Sequence, residues 1–206
     1  MKSQDYSLYL VTSEKDEKEF LKIIEESLEG GVNLIQIREK TANSKDFYEI
    51  ALKVKSLTSK YNVPLIINDR IDVALAINAD GVHIGQKDLP CEKVRSIIGP
   101  DKLLGVSAST VKEALKAQED GADYIGSGSL YKTPSKEDAP VISKEDLKEI
   151  CESVNIPVVY IGGVSLENIK NLKNTGIKGI AVVSAIMDSE NPKLITINLK
   201  KEFEKN

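Results

Sequence analysis

The stretch that decides the fold lies at residues 64–88, which read PLIINDR at 64–70 and DGVHIGQKD at 80–88. Each part is a short apolar run followed by a polar group that contains a carboxylate, Asp69 or Asp88. Such a run is typical of a strand buried in a parallel sheet, and such a polar group of a strand-to-helix loop. Ligands of α/β folds bind where these strands end. The stretch therefore predicts a parallel α/β fold and part of its binding site.

The two carboxylates allow two interpretations. As oxygen ligands at adjacent strand ends, Asp69 and Asp88 suit a hard cation such as Mg²⁺, which commonly bridges to substrate phosphates. As helix caps, Asp69 would begin a helix near Ile71, and Asp88 a helix that follows Pro90. The stretch alone leaves both interpretations open.

The composition excludes several classes of protein. The chain has 206 residues, 41% hydrophobic and 29% charged, with a net charge of −4, so no basic field indicates nucleic-acid binding. Aromatic residues make up 5%, too few to favour a stacking surface for single strands. No apolar run is long enough to span a bilayer and residues 1–5 lack a signal-peptide core, so we expect a cytoplasmic protein without a membrane partner. Cys91 and Cys151 form no CxxC pair and are expected to be reduced structural thiols.

Strand-like and helical patterns alternate about eight times without a linker, which predicts a (β/α)8 TIM barrel that forms a single domain over residues 1–206. Strands are predicted at 6–11, 32–38, twice within 64–88, and at 103–106, 122–126, 157–161 and 179–183. Helices are predicted at 20–28, 44–61, 71–78, 90–98, 110–120, 143–153, 165–174 and 192–204. Similar short segments at 30–33, 78–82, 121–124 and 175–179 join a helix end to a strand start and predict left-handed turns there.

Polar side chains after the second strand predict an anion site at the barrel mouth. Gln36, Arg38 and Lys40 are spaced by two, so they share one face while Ile35 and Ile37 face the other way. Two cations beside an amide suit an anionic ligand, and a solvent-exposed basic edge is the alternative interpretation.

The later strand ends add further polar groups. After the fifth strand, Ser107 is expected to contact a ligand, whereas Ser109 is interpreted as the cap of the next helix. The glycine-led loop after the sixth strand contains Thr133, Ser135 and Lys136, which suit phosphate oxygens, although a solvated turn would have a similar composition.

The last two strand ends predict a second phosphate site. Gly163 allows the backbone to approach a ligand, and Val183 and Ser184 open a short helix whose amides attract a phosphate. His83 is the only histidine and is interpreted as a hydrogen-bonded core residue rather than a base. Two anion sites and one metal site, with no obvious nucleophile, suit ionisation of a diphosphate ester, which needs charge stabilisation on the leaving group.

These residues match a known family in order along nearly the whole chain: the sequence resembles thiamine phosphate synthases. The matching segments lie at 9–12, 36–40, 68–70, 81–88, 105–107, 133–136, 161–163 and 183–186. The resemblance implies an enzyme that joins hydroxymethylpyrimidine diphosphate to hydroxyethylthiazole phosphate, giving thiamine phosphate and pyrophosphate. It implies that the pyrimidine diphosphate ionises to a carbocation, which the thiazole nitrogen attacks.

The resemblance also implies the site residues. Mg²⁺ is expected on Asp69 and Asp88, and the thiazole phosphate on Gly163, Val183 and Ser184. The residues expected to hold the pyrophosphate or the pyrimidine are Gln36, Arg38, Lys40, Asn68, Thr133, Ser135 and Lys136. Catalytic roles are expected for Lys136, Arg38 and Ser107. Independently of the resemblance, the charge and length of the segment 132–138 make it the candidate lid. The sequence leaves homo-oligomerisation open.

Two departures from the family and two alternatives remain. Many members have threonine where this chain has Ser135, and the loop at 128–131 lacks a proline often found after its glycine. Thiazole tautomerases share the barrel, but they lose the metal carboxylates and place a histidine where this chain has Ser129. A non-catalytic sensor of a phosphate ligand would not need two carboxylates beside an anion site, because they would repel the ligand without a cation.

Overall fold

A computed structural model describes residues 4–130 and 141–205. Its eight parallel strands close into a barrel in chain order, and helices connect successive strands on the outside. The fold is therefore the predicted (β/α)8 TIM barrel. The strands are β1 Leu8–Val11, β2 Leu34–Ile37, β3 Leu65–Asn68, β4 Gly81–Ile84, β5 Leu103–Ser107, β6 Tyr124–Ser127, β7 Val158–Ile161 and β8 Gly179–Val182. The α-helices are α1 Glu17–Glu29, α2 Ser44–Tyr61, α3 Ile71–Ala76, α4 Cys91–Ile98, α5 Val111–Glu119, α6 Lys144–Ser153, α7 Ser184–Met187 and α8 Pro192–Glu204.

Alternation along the strands divides the core in two. Outward-facing residues such as Ile35 and Ile37 pack under the helices in the larger cluster. Inward-facing residues fill the barrel itself, among them Tyr9, Leu34 and Tyr124. Because successive side chains of a strand point to opposite faces, the alternation predicted for β2 is confirmed.

Left-handed residues end the helices where the sequence predicts them. The backbone φ angle is 92° at Gly31, 51° at Asn78, 95° at Gly121 and 90° at Gly176. Asparagine replaces glycine at one of these positions because its short polar side chain tolerates this conformation.

The prediction of an α-helix at 165–174 is wrong. This segment contains a 3₁₀ helix at Ile169–Leu172 instead. The side chain of Asn168 accepts a hydrogen bond from the Ser165 amide at 2.9 Å and donates one to the Gly163 carbonyl at 2.6 Å. An asparagine that bonds nearby backbone in this way offers an alternative to the helical ladder.

None of the helices in the described ranges has both the length and the apolar character needed to cross a membrane. Cys91 and Cys151 are both free thiols.

Candidate active site

The carboxyl ends of β2, β3 and β4 are consecutive in the barrel and bring opposite charges to one arc of its mouth. Arg38 directly follows β2, Asp69 directly follows β3, and Gly85 directly follows β4. The Asp69 amide donates to the His83 carbonyl at 2.9 Å, which extends the β3–β4 pairing by one residue. In characterised TIM-barrel enzymes the active site lies at this carboxyl-terminal mouth of the barrel.

Asp69 has a backbone φ angle of 59°, in the left-handed region. Its Oδ2 accepts a hydrogen bond from Asn68 Nδ2 at 2.6 Å. The α3 helix begins after Arg70 without a side-chain cap, so the interpretation of Asp69 as a cap is wrong. The following amides bond backward instead, from Arg70 to the Asn68 carbonyl and from Ile71 to the Asp69 carbonyl.

The Asp88 side chain is hydrogen-bonded to the backbone just after β4. Its Oδ2 accepts a hydrogen bond from the Gly85 amide at 2.6 Å. The α4 helix begins after Pro90, again without a side-chain cap, so the cap interpretation of Asp88 is also wrong. Each carboxylate is thus positioned at the end of its own strand, and the two strands are neighbours.

This donor set fits Mg²⁺. Mg²⁺ takes oxygen ligands, keeps several waters, and is commonly held by one or two carboxylates together with substrate phosphates. Among residues 4–130 and 141–205 no group of three or more histidine, cysteine or acidic side chains forms a complete protein cage for a metal. Two carboxylates at an open mouth match the open type of site, to which a substrate phosphate adds its oxygens.

Arg38 is a cation at the end of β2 that has no ion-pair partner within residues 4–130 and 141–205. The chain has three arginines. Arg70 pairs with Asp72 and Arg95 with Asp123, whereas the Arg38 guanidinium contacts no carboxylate within the described part of the chain. The Arg38 amide donates to Thr12 Oγ1 at 3.1 Å, which ties the loop after β2 to the end of β1. A half-buried arginine that contacts none of the described carboxylates suits an anionic ligand.

Gln36 and Lys40 complete the set predicted on β2 but differ in burial. Gln36 is 4% exposed and points into the barrel, where its Nε2 donates to Tyr9 Oη at 2.6 Å. Lys40 is exposed in the loop beyond the strand end. The carboxylate of Glu39 accepts hydrogen bonds from the Thr41 and Ala42 amides, which shape this loop.

His83 and Ser107 are joined below the mouth. His83 Nε2 lies 3.0 Å from Ser107 Oγ, and His83 Nδ1 lies 3.1 Å from Tyr124 Oη. The histidine is 8% exposed, so the interpretation of a buried, hydrogen-bonded core residue is confirmed. Gln86 donates its Nε2 to the Ser107 carbonyl at 2.6 Å and so joins the loop after β4 to β5.

The cap interpretation of Ser109 is wrong. The α5 helix is capped by Thr110, whose side chain accepts the Glu113 amide at 3.2 Å. The Ser109 amide donates to Glu113 Oε2 at 2.7 Å. Ser109 and Thr110 are adjacent residues that both carry a hydroxyl group. Strand β5 ends at Ser107, one residue later than predicted, and the cap is Thr110 rather than Ser109.

The last two strand ends form an open backbone surface. Gly162 and Gly163 have φ angles of 126° and 64°, and an added Cβ at Gly162 would lie 2.3 Å from the Ser129 Cβ. Val183 precedes α7, a helix of four residues that begins at exposed Ser184. The short helix predicted here is confirmed, and Gly163 and Ser184 both lie at the mouth.

Three of the predicted site residues and the candidate lid lie outside the described residues. They are Thr133, Ser135, Lys136 and the segment 132–138.

The comparisons with known proteins agree along almost the entire chain. The family model described as thiamine monophosphate synthase matches residues 8–186. The chain belongs to the thiamine monophosphate synthase family. Two similar relatives are named thiamine-phosphate synthase: the Methanobrevibacter smithii protein, 60% identical over 98% of each chain, and the Clostridium tetani protein, 56% identical over 93% of each.

A solved structure of this enzyme class has the same fold. The thiamine phosphate pyrophosphorylase of Pyrococcus furiosus superposes with a TM-score of 0.89 at 41% identity, covering 98% of this chain and 97% of that one. The resemblance identified from the sequence is confirmed, and so is membership of a family of thiamine-phosphate synthases.

Sequence reasoning missed three polar residues of this synthase barrel: Tyr9, Tyr124 and Thr12. Each has a side-chain hydrogen bond at or below the mouth. The tyrosines lie within predicted strands, where an aromatic residue is usual and indicates no particular partner. Only the period-two position of Tyr9 relative to the strand end indicated that it points inward.

Proposed function

We propose that this protein is a Mg²⁺-dependent transferase that couples hydroxymethylpyrimidine diphosphate to hydroxyethylthiazole phosphate and releases thiamine phosphate and pyrophosphate. The bond between the pyrimidine methylene carbon and the diphosphate oxygen breaks, and the leaving oxygen keeps the electron pair. The lone pair of the thiazole nitrogen then forms the new carbon–nitrogen bond. The metal, when bound, supplies positive charge to the diphosphate.

The observation that carries this proposal is the arrangement of charge at three consecutive strand ends. Arg38, Asp69 and Asp88 follow three consecutive strands, β2, β3 and β4, and Arg38 has no carboxylate partner among the residues that the structure describes. Two carboxylates next to an anion-binding arginine would repel an anionic ligand unless a cation lay between them. A metal-bound diphosphate satisfies all three groups.

The remaining site residues have roles that follow from their chemistry. Arg38, Lys40 and Lys136 neutralise the leaving diphosphate, and the Thr133 and Ser135 hydroxyls donate to its oxygens. Gln36, Asn68 and Ser107 contact the pyrimidine. The backbone at Gly163, Val183 and Ser184 holds the thiazole phosphate.

We further propose a cytoplasmic protein in which residues 1–206 act as one barrel domain, whether alone or as a homo-oligomer. Nucleic acid and membrane are not its partners, and its ligands are the two small substrates.

A coupling assay with the two purified substrates tests the proposal. We expect thiamine phosphate and pyrophosphate in equal amounts with Mg²⁺, and no product when EDTA replaces the metal. Product formation in EDTA would contradict the metal assignment. Absence of product under both conditions would contradict the synthase assignment and favour the tautomerase or the phosphate sensor.

A further inference from the structure

A continuous chain of hydrogen bonds crosses the barrel interior from β2 to β5. Gln36 Nε2 lies 2.6 Å from Tyr9 Oη, which lies 2.8 Å from Tyr124 Oη. Tyr124 Oη lies 3.1 Å from His83 Nδ1, and His83 Nε2 lies 3.0 Å from Ser107 Oγ. The two ends of the chain are side chains that the proposed function places against the pyrimidine. The three middle residues have no role in that proposal.

The orientation of the Gln36 amide fixes the first bond of this chain, and one direction of the remaining bonds uses every proton within the chain. Gln36 donates through Nε2, so the Tyr9 oxygen accepts. Either hydroxyl can donate in the Tyr9–Tyr124 pair, and the direction that uses both phenol protons within the chain has Tyr9 donate to Tyr124. Tyr124 then accepts from Tyr9 and donates to His83 Nδ1. A neutral imidazole that accepts at Nδ1 carries its proton on Nε2, and this proton is donated to Ser107 Oγ.

The tyrosines are suited to pass on this direction because they keep their protons. Burial raises the pKa of the Tyr9 hydroxyl well above its usual value, and burial also raises the pKa of Tyr124. A neutral phenol has a single proton to donate, so each tyrosine that accepts from one neighbour donates to the next.

Two glycines make room for the chain. A Cβ added at Gly105 of β5 would lie 2.3 Å from Tyr124 Oη and 2.4 Å from His83 Nδ1. A Cβ added at Gly126 of β6 would lie 3.0 Å from His83 Cε1. Both strands thus lack a side chain at the positions where the rings meet.

We propose that Tyr9, Tyr124 and His83 are positioning residues that fix the hydrogen-bonding polarity of Gln36 and Ser107 toward the substrate. This inference rests on the proposed function and deepens it. Gln36 directs one Nε2 proton to Tyr9, so its carbonyl oxygen is oriented away from Tyr9 as an acceptor for the substrate. Ser107, whose oxygen accepts from His83, presents its hydroxyl proton as a donor. The substrate group that binds here therefore offers both an N–H donor and a nitrogen acceptor, as an aminopyrimidine does.

The single histidine of the chain allows a direct test. Ring-labelled ¹⁵N-histidine protein is studied by NMR at a pH of about 8.5, where an imidazole of ordinary pKa is neutral. Two-bond correlations to the ring carbon protons then report which nitrogen is protonated. We expect a proton on Nε2 and none on Nδ1. A proton on Nδ1 would mean that the chain runs in the opposite direction and would overturn the proposal. This readout does not require turnover, so it remains informative if the proposed reaction fails.

Removing the hydroxyl of Tyr9 or of Tyr124 tests whether the chain of hydrogen bonds fixes the His83 tautomer. Tyr9→Phe removes the donor that directs Tyr124, and Tyr124→Phe removes the partner of His83 Nδ1. We expect both variants to acquire a mixture of imidazole tautomers. We expect kcat/KM for the pyrimidine diphosphate to fall on the order of tenfold, which is the size of one lost hydrogen bond, while KM for the thiazole phosphate stays unchanged.

A matched control and a double-mutant cycle separate positioning from general damage. Tyr6 packs on the Tyr124 ring at a centroid distance of 5.0 Å and has no hydroxyl hydrogen bond within the described residues. Tyr6→Phe should therefore leave the tautomer and kcat/KM unchanged. In a Ser107→Ala background, Tyr9→Phe should have little further effect, because residues that act as one unit are non-additive. Full additivity, or an unchanged tautomer in Tyr9→Phe, would overturn the proposal.

Discussion

Asp69 combines two properties at the scale of a single residue. Its backbone is in the left-handed region at a φ angle of 59°, and its carboxylate accepts a hydrogen bond from Asn68. Most residues avoid this conformation, but aspartate and asparagine tolerate it. Asparagine is therefore the substitution that removes the charge at this position with the least change to the backbone.

We predict that Asp69→Asn and Asp88→Asn each lower kcat for the coupling reaction on the order of 10²–10³-fold, because each removes a charged ligand from the proposed metal. The measurement is steady-state turnover at saturating substrates and Mg²⁺, with thermal unfolding to show that the fold is retained.

Asp101→Asn is the matched control for these variants. Asp101 is exposed and precedes β5, at the opposite end of the barrel. Its removal should leave kcat unchanged. Wild-type turnover in either mouth variant would contradict the metal assignment.

The two thiols provide a second prediction at this scale. Burial raises the pKa of Cys91 to about 11 and that of Cys151 to about 11. At pH 8 each thiol then holds roughly two orders of magnitude less of the reactive thiolate than an ordinary cysteine. We expect iodoacetamide to modify the native protein far more slowly than the urea-unfolded protein at this pH. Equal rates in both states would show that the thiols are not protected by burial.

At the scale of elements, the start of α5 shows how one residue of shift changes a role. Thr110 caps the helix by accepting the Glu113 amide, and Glu113 in turn accepts the Ser109 amide. The exchange satisfies the Glu113 amide in the first turn of the helix and the Ser109 amide just before the cap.

We predict that Thr110→Ala lowers the free energy of unfolding by about 1 kcal/mol, as loss of a cap usually does. Ser109→Ala is the matched control and should change it by less than about 0.5 kcal/mol, because only the Ser109 amide takes part. Urea unfolding of the three proteins measures both values. A larger loss in Ser109→Ala than in Thr110→Ala would restore the cap interpretation of Ser109.

At the scale of the whole molecule, the two ends of the barrel have separate tasks. The predicted site residues that the structure describes lie in or directly after the carboxyl-terminal parts of the strands, whereas a network around Arg95 joins loops at the amino ends. Arg95 donates to the carbonyls of Gly99, Lys102 and Gly121, and to Asp123 Oδ2 at 2.5 Å. The same Asp123 oxygen accepts the Leu104 amide at 2.8 Å. This end of a TIM barrel usually serves stability rather than catalysis.

We predict that Arg95→Met lowers the free energy of unfolding by about 2–3 kcal/mol while kcat of the folded protein stays unchanged. The expected loss is at or below the range for a fully buried pair, because the Arg95 and Asp123 side chains remain 19% and 25% exposed. Lys93→Met on the same helix is the control, since its pair with Glu92 is largely exposed and should contribute little. A fall in kcat with unchanged stability would contradict this division of tasks.

Local patterns made most of the architecture predictable. Apolar runs between glycine-rich turns placed the strands, and helical periodicity placed α2 and α8 with the bounds that the structure has. The position of Asp69 and Asp88 at neighbouring strand ends also followed, because in a barrel of this kind consecutive strands lie side by side. The segment at 165–174 escaped prediction because the side chain of Asn168 competes with the helical bonding of its neighbours.

The sequence by itself determined the barrel, the family and the charged residues at its mouth, since these depend on short-range patterning and on motifs readable in order. Only the tertiary structure decided that Tyr9, Tyr124 and His83 form one hydrogen-bonded chain between Gln36 and Ser107. These residues come from strands that are far apart in the sequence, and their contacts depend on how inward-facing side chains meet across the closed barrel. The spacing of these residues in the sequence does not indicate that they contact one another. The direction of their hydrogen bonds could therefore be inferred only from the folded structure.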